Sequence, residues 1–151
     1  MMKNNKKGFT LVELIAVIAI LSILLIMALP QVLNLYNDTK EGAFITQVQS
    51  VYKAAEEKFV SDQLLPDAAG SNVTYCHDNK EETNDLGVTN DDVLYKIVFE
   101  NGKITSIMVM DSSYLYTSPA VSDGGYIKVS DIVFDNAEAV SSTNQNSIAC
   151  S

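Results

Sequence analysis

The 151-residue chain has no arginine, one histidine and only two cysteines. Each scarcity removes a class of function. All ten basic residues are lysine, they face 19 acidic ones, and the formal net charge is −9. No broad basic surface is left to attract a phosphate backbone, so no specific nucleic-acid partner is expected. The cysteines, Cys76 and Cys150, lie far apart and lack the CxxC or Cys/His spacing of a zinc site. Taken as residues alone they are either two thiols or the ends of a bond closing a loop of about 75 residues. Such a bond is worth about 4 kcal/mol in the loop-entropy account and belongs to an oxidising place such as the cell exterior. The single histidine, His77, stands beside Cys76 in a polar stretch. A Cys/His nucleophilic pair needs orientation across space, which adjacency does not provide, so His77 reads as a solvated loop residue. With no glycine-rich phosphate loop and no internal repeat either, the chain reads as non-catalytic, with no cofactor and no metal.

What is present is a long apolar run. Lys3, Lys6 and Lys7 precede Gly8, and Phe9 to Leu29 is then broken only by Thr10, Glu13 and Ser22. About 20 residues of helix cross a hydrocarbon core. The lysines place the N-terminus in the cytoplasm and everything after Pro30 outside. A cleaved secretory signal would need a small-x-small site after the run, and ALPQV is a poor one, so the segment is expected to be retained.

Beyond Pro30, Phe44, Val48, Val51, Tyr52, Ala55 and Phe59 recur at helical spacing among Lys53, Glu56, Glu57 and Lys58. One face of this helix packs on something. Leu64-Leu65-Pro66-Asp67 ends it. A helix from about Phe9 to Gln63 is expected, bent at Pro30 and loosened at Gly42.

Residues 66–92 are polar, without period, and read as an extended loop. Its acids, Asp78, Glu81, Glu82, Asp85, Asp91 and Asp92, lack EF-hand spacing and read as solvated. Asn72-Val73-Thr74 matches the short N-glycosylation triplet. The chemistry then changes: VLYKIVFE (93–100) and KITSIMVM (103–110) flank Asn101-Gly102, the dipeptide suited to a type I′ turn. YIKVSDIVF (126–134) predicts a further antiparallel strand, and 136–151 a polar tail that only Cys150 could pin. The expected fold class is α+β, a long N-terminal helix laid across a small antiparallel sheet. Its parts are a leader 1–8, a membrane helix 9–29 and an outer domain 30–151, with helix to about 64, loop 66–92 and sheet 93–134.

Glu13 is the residue out of place. A carboxylate inside a span costs at least about 2.5–3.5 kcal/mol on insertion scales and so marks a function or a partner. Proximity to the helix start and snorkelling relieve only part of that cost.

The stretch Lys6-Lys7-Gly8-Phe9-Thr10-Leu11-Val12-Glu13, followed by the apolar run and Pro30, resembles the class III signal sequence of type IV pilins and pseudopilins. The detailed resemblance covers about the first thirty residues. It implies cleavage by a prepilin peptidase between Gly8 and Phe9 and N-methylation of Phe9. Loss of the three leader lysines then takes the formal charge from −9 to −12. It also implies that Glu13 pairs with the Phe9 amine of a neighbouring subunit, the alternative being its own amine four residues away. It gives Pro30 as a bend and joins Cys76 to Cys150. The implied partners are further copies in a helical homopolymer, the peptidase, an assembly platform with its ATPase, and the membrane. The implied location is the cytoplasmic membrane before assembly and a surface pilus afterwards, serving adhesion or twitching motility. Two other readings stand beside this one. One is a pseudopilin of a type II secretion or DNA-uptake machine, and the other a membrane-anchored surface domain that never polymerises.

Overall fold

The computed structural model describes residues 8–65, 70–78, 82–83, 86–88, 92–122, 124–141, 143–144 and 147–150, with backbone only at 82–83. The leader lysines, Pro66, Asp67, Glu81, Asp85 and Asp91 lie outside the described residues, as does the side chain of Glu82. The chain divides into two compact units, residues 1–40 and 41–151.

One helix, α1, runs Leu11–Gln63 with Pro30 inside it. In the first unit every large hydrophobic side chain from Phe9 to Tyr36 is exposed, between 49% and 87%. The mean hydropathy of its apolar stretch is 2.9, and none of that stretch is buried. This is a helix long and apolar enough to cross a membrane, consistent with a membrane-anchoring segment. Ser22 satisfies its hydroxyl within the helix by donating to the Ile18 carbonyl at 2.7 Å, the usual solution for a small polar group in an apolar span.

In the second unit α1 buries one stripe, Phe44, Val48, Val51, Tyr52 and Ala55, with Phe59 half-buried beside it. These are the six residues whose spacing predicted the packed face. They lie on a six-stranded antiparallel sheet formed by β1 (Val73–His77), β2 (Glu82–Thr83), β3 (Leu94–Glu100), β4 (Lys103–Met110), β5 (Tyr114–Thr117) and β6 (Ala137–Ala139), in the order β2-β1-β3-β4-β5-β6. Aromatic pairs bracket the interface. Phe59 stacks on Phe99 with centroids 4.4 Å apart, and Phe44 meets Tyr114 at 5.4 Å. Each fully buried aliphatic or aromatic side chain here contributes about 1.5–3 kcal/mol of transfer free energy.

The β3–β4 turn is Asn101-Gly102, with φ of 53° and 75°, the left-handed conformations that the dipeptide was expected to supply. Ser71 and Asn72 hold it from outside: Gly102 N–H donates to the Ser71 carbonyl and Asn101 N–H to Asn72 Oδ1, both at 2.8 Å.

Three expectations fail. Residues 66–92 are not one loop, because 73–77 form a strand between β2 and β3. Both faces of β1 are covered: Tyr75 points into the core under α1, and Cys76 into a second cluster on the opposite face with Leu94, Met110, Leu115 and Ile148. A strand buried on both faces shows no polar alternation. β5 escapes the sequence for the same reason, with Tyr116 in one cluster and Leu115 in the other. Conversely, 126–134 is not a strand. Asp131 Oδ2 accepts the Lys128 N–H at 3.0 Å and Asp131 N–H returns to the Lys128 carbonyl at 2.9 Å, closing a short 3₁₀ turn at Val129–Asp131. Local side-chain bonds of this kind compete with a strand ladder. The sheet therefore spans 73–139 and not 93–134.

Candidate functional site

The residues singled out by the sequence fall into two sets, one in each unit. Gly8, Phe9 and Thr10 precede the first turn of α1, which opens at Leu11. Thr10 is the N-cap. Its hydroxyl accepts the Glu13 N–H at 3.2 Å, and Glu13 Oε2 accepts the Thr10 N–H at 2.9 Å and the Thr10 hydroxyl at 3.0 Å. This is a reciprocal capping box, threonine at the cap and glutamate three residues on. Two of the helix's first N–H groups are satisfied by it, and the carboxylate sits at the positive end of the helix dipole.

Thr10 is the functional residue that sequence reasoning passed over. The signal was present as Thr10-Leu11-Val12-Glu13, the T-x-x-E pattern that precedes an apolar run. The box answers part of the question posed by Glu13. Its charge is placed where backbone N–H groups already need an acceptor, and both contacts fall on one carboxylate oxygen. An ionised carboxylate has about four lone-pair sites, so the group retains capacity for a further donor.

Pro30 lies about 25 Å further along the helix axis at 1.5 Å per residue. It has no N–H to offer the Ile26 carbonyl, so one rung of the ladder is missing although α1 continues on both sides.

In the second unit Cys76 and Cys150 are joined by a disulfide, S–S 2.08 Å and Cα–Cα 5.6 Å. The C-terminal segment is also strapped down by polar contacts. Asp78 Oδ2 accepts the Cys150 N–H at 3.0 Å, and Lys96 Nζ donates to the Ala149 carbonyl at 2.8 Å. Ile148, 5% exposed, plugs the cluster beneath. His77 lies in β1, not in a loop, with its ring over that of Tyr95 at 5.7 Å. Among the described residues no group of three or more His, Cys, Asp or Glu could hold a metal ion.

The far end of α1 is tied to β1 by a short network. The Tyr75 hydroxyl donates to Asp62 Oδ2 at 2.9 Å, and Lys58 pairs with Asp62 Oδ1. The Lys58 ammonium holds the Asp62 carboxyl below the usual range, with the Tyr75 hydroxyl assisting. Burial first, then the Asp62 carboxylate, pushes Tyr75 well above an ordinary tyrosine. Tyr52, whose hydroxyl donates to the Ile127 carbonyl at 2.9 Å, is pushed up to about 12 by burial and then by the charge of Glu56.

Residues 3–29 match the family model of the prokaryotic N-terminal methylation motif. Lys3, Lys6, Lys7, Gly8, Phe9, the Thr10–Glu13 cap and the apolar helix up to Leu29 all fall inside the match. The motif, with a long N-terminal helix and a small antiparallel sheet behind it, matches the fold of the type IV pilins and pseudopilins. No curated protein and no solved structure matches the chain. Pilins and pseudopilins are structural rather than catalytic proteins, and the methylation motif implies processing by a peptidase-like partner.

Proposed function

We propose that the chain is a structural subunit of a type IV pilus. In this reading a prepilin peptidase cuts between Gly8 and Phe9 and the new Phe9 amine is methylated. The subunit waits in the cytoplasmic membrane with its N-terminus inside, and an assembly platform with its ATPase then polymerises it into a surface filament.

One observation carries the reading. The exposed apolar surface of α1 outruns a membrane. From Leu11 to Tyr36 the helix covers about 39 Å at 1.5 Å per residue, against about 30 Å of hydrocarbon. Val32, Leu33, Leu35 and Tyr36, all beyond Pro30, are 55–68% exposed. Exposed apolar side chains beyond the span, set among Gln31 and Asn34, call for a protein partner as well as lipid. The same helices of neighbouring copies supply one, since each offers the same unpaired surface. The missing rung at Pro30 lets the helix adjust there as copies pack.

Glu13 then has two duties. Oε2 caps its own helix while the rest of the carboxylate receives the Phe9 ammonium of a neighbour. In a low-dielectric bundle the pair forms in one axial register, so it selects register more than it adds cohesion. The amine does not exist until the leader is removed, which makes assembly wait for processing.

The two duties separate by mutation. Glu13→Gln keeps a capping-box side chain and removes the charge, whereas Thr10→Ala weakens the cap, by about 0.5–2 kcal/mol, and keeps the charge. Electron microscopy of surface filaments, with mass spectrometry of the mature N-terminus, should show cleaved Glu13→Gln subunits that fail to assemble and Thr10→Ala subunits that do assemble. Normal filaments from Glu13→Gln at the normal rate would remove the register role. A first residue other than methyl-Phe9 would remove the processing step. Loss of secretion or transformation without visible fibres would move the assignment to a pseudopilin.

A further inference from the structure

On one side of the second unit, the segment 52–60 of α1 and the β3–β4 hairpin leave a notch of about 240 Å³. Its floor is aromatic, with Phe59 flat against Phe99, the planes 7° apart. Gly102 of the β3–β4 turn lies at its edge, against the Phe59 ring. A Cβ on it would stand in ordinary contact with that ring, at 3.8 Å. Tyr126 forms the opposite wall and is 44% exposed.

Two ammonium groups converge on that tyrosine, Lys103 Nζ at 4.6 Å and Lys128 Nζ at 5.6 Å from the ring centroid. The negative face of the ring attracts them both. It does not neutralise them, and among the described residues neither forms an ion pair within 4 Å, the pair found there being Lys58–Asp62. Lys96 is occupied by the Ala149 carbonyl. The notch thus has an aromatic centre and a polar rim, with Glu56 on its α1 side and Lys103, joined by Lys128 at the Tyr126 ring, on the other, the apolar-centre, polar-rim layout of a protein–protein contact. It also lies on a strongly acidic domain, since residues 41–151 carry 17 acidic side chains against 6 lysines.

That imbalance points to the occupant. Packing many copies of such a domain side by side is opposed by like-charge repulsion. A contact that sets a lysine pair of one copy against the acidic surface of the next offsets it, and every copy brings both halves. Like charges gathered at one ring are also cheapest where an opposite charge meets them. We infer that the Tyr126 notch, with Lys103 and Lys128, is a lateral contact that receives an acidic segment of a second copy of this chain in the filament. The inference rests on the filament reading above.

The test uses full-length chains in cells that carry the assembly machinery. Lys103→Glu/Lys128→Glu is compared with Lys103→Arg/Lys128→Arg and the unaltered chain. The amount of cleaved, disulfide-bonded subunit in the membrane serves as the folding control. The reversal should leave that pool unchanged and lower surface filament mass about tenfold or more, while the arginine pair, which keeps charge and ring contact, keeps filaments. Carbodiimide treatment of unaltered filaments should join Lys103 or Lys128 to a carboxylate of another subunit, visible as a dimer and placed by mass spectrometry. Undiminished filaments from the reversal, or cross-links that bypass both lysines, overturn the contact and leave the filament reading intact. Absence of filaments from the unaltered chain overturns the filament reading and the contact with it.

Discussion

The two halves of α1 have opposite surfaces. From Leu11 to Lys40 no side chain is buried, and as far as Leu29 the apolar residues surround the helix on every side. From Phe44 onward one stripe is buried and the rest is polar or charged. A helix that is apolar all round needs lipid or protein about it, while an amphipathic one is stabilised by the sheet beneath. The two halves therefore take their stability from different sources. The second unit carries its own, in two apolar clusters on the two faces of one sheet and a disulfide across one of them. The first takes its stability from whatever surrounds it.

Three perturbations sharpen or break that contrast, in descending size. The largest is loss of the disulfide. Cys150→Ser should lower the stability of the second unit by about 4 kcal/mol, as expected for a loop of this length, and release the 147–150 segment. Thermal unfolding with amide exchange at 147–150 measures both. An unchanged melting temperature would mean that Asp78, Lys96 and Ile148 hold the strap unaided.

Next comes a matched pair of core deletions in detergent-solubilised chain. Ile107→Ala, at a fully buried site, should cost about 2–4 kcal/mol in the unfolding of the second unit. Leu24→Ala, at an exposed site, should leave that transition where it was. Equal effects from the two would show that the halves unfold as one, and the contrast would fail.

The smallest is a pair of pH effects confined to the second unit. Tyr52 and Tyr75 have folded pKa values raised above their unfolded ones. Their stabilisation is complete below about pH 10, the unfolded value, and is lost as pH rises, for Tyr52 through about 12. Asp62 has a lowered value, so its contribution is present above its unfolded pKa and fades in acid as pH falls below it. The acid effect is modest because the pair with Lys58 is solvent-screened. Ultraviolet titration of the tyrosines during unfolding follows the alkaline limb. Titration of Tyr52 near pH 10 in the folded chain would show that its hydroxyl is neither buried nor close to Glu56.

Much of the fold was legible in the residues. The helix came from spacing and hydropathy, and the β3–β4 hairpin from Asn101-Gly102 between two apolar runs. Less of the candidate site was legible. The stretch Gly8-Phe9-Thr10-Leu11-Val12-Glu13 carried its own resemblance, but Glu13 was weighed as a charge in a span before it was seen as half of a capping box with Thr10. Tyr126 and its two lysines were hidden altogether, because Lys103, Tyr126 and Phe59 come together only after α1 and the hairpin have packed.

The sequence alone therefore settled what depends on neighbours in the chain, the extent of the apolar run, the turn and the methylation motif, and it carried the cap pattern unread. These follow from backbone geometry and side-chain chemistry within about one helical turn or one hairpin. The tertiary structure decided what depends on two covered faces. Val73–His77 and Tyr114–Thr117 are strands because α1 lies on one side of the sheet and Val140, Ile148 and Cys150 on the other, while 126–134 is not, because Asp131 bonds its own backbone. A residue's alternation reports which side is wet, and where neither side is wet the pattern that reveals a strand disappears.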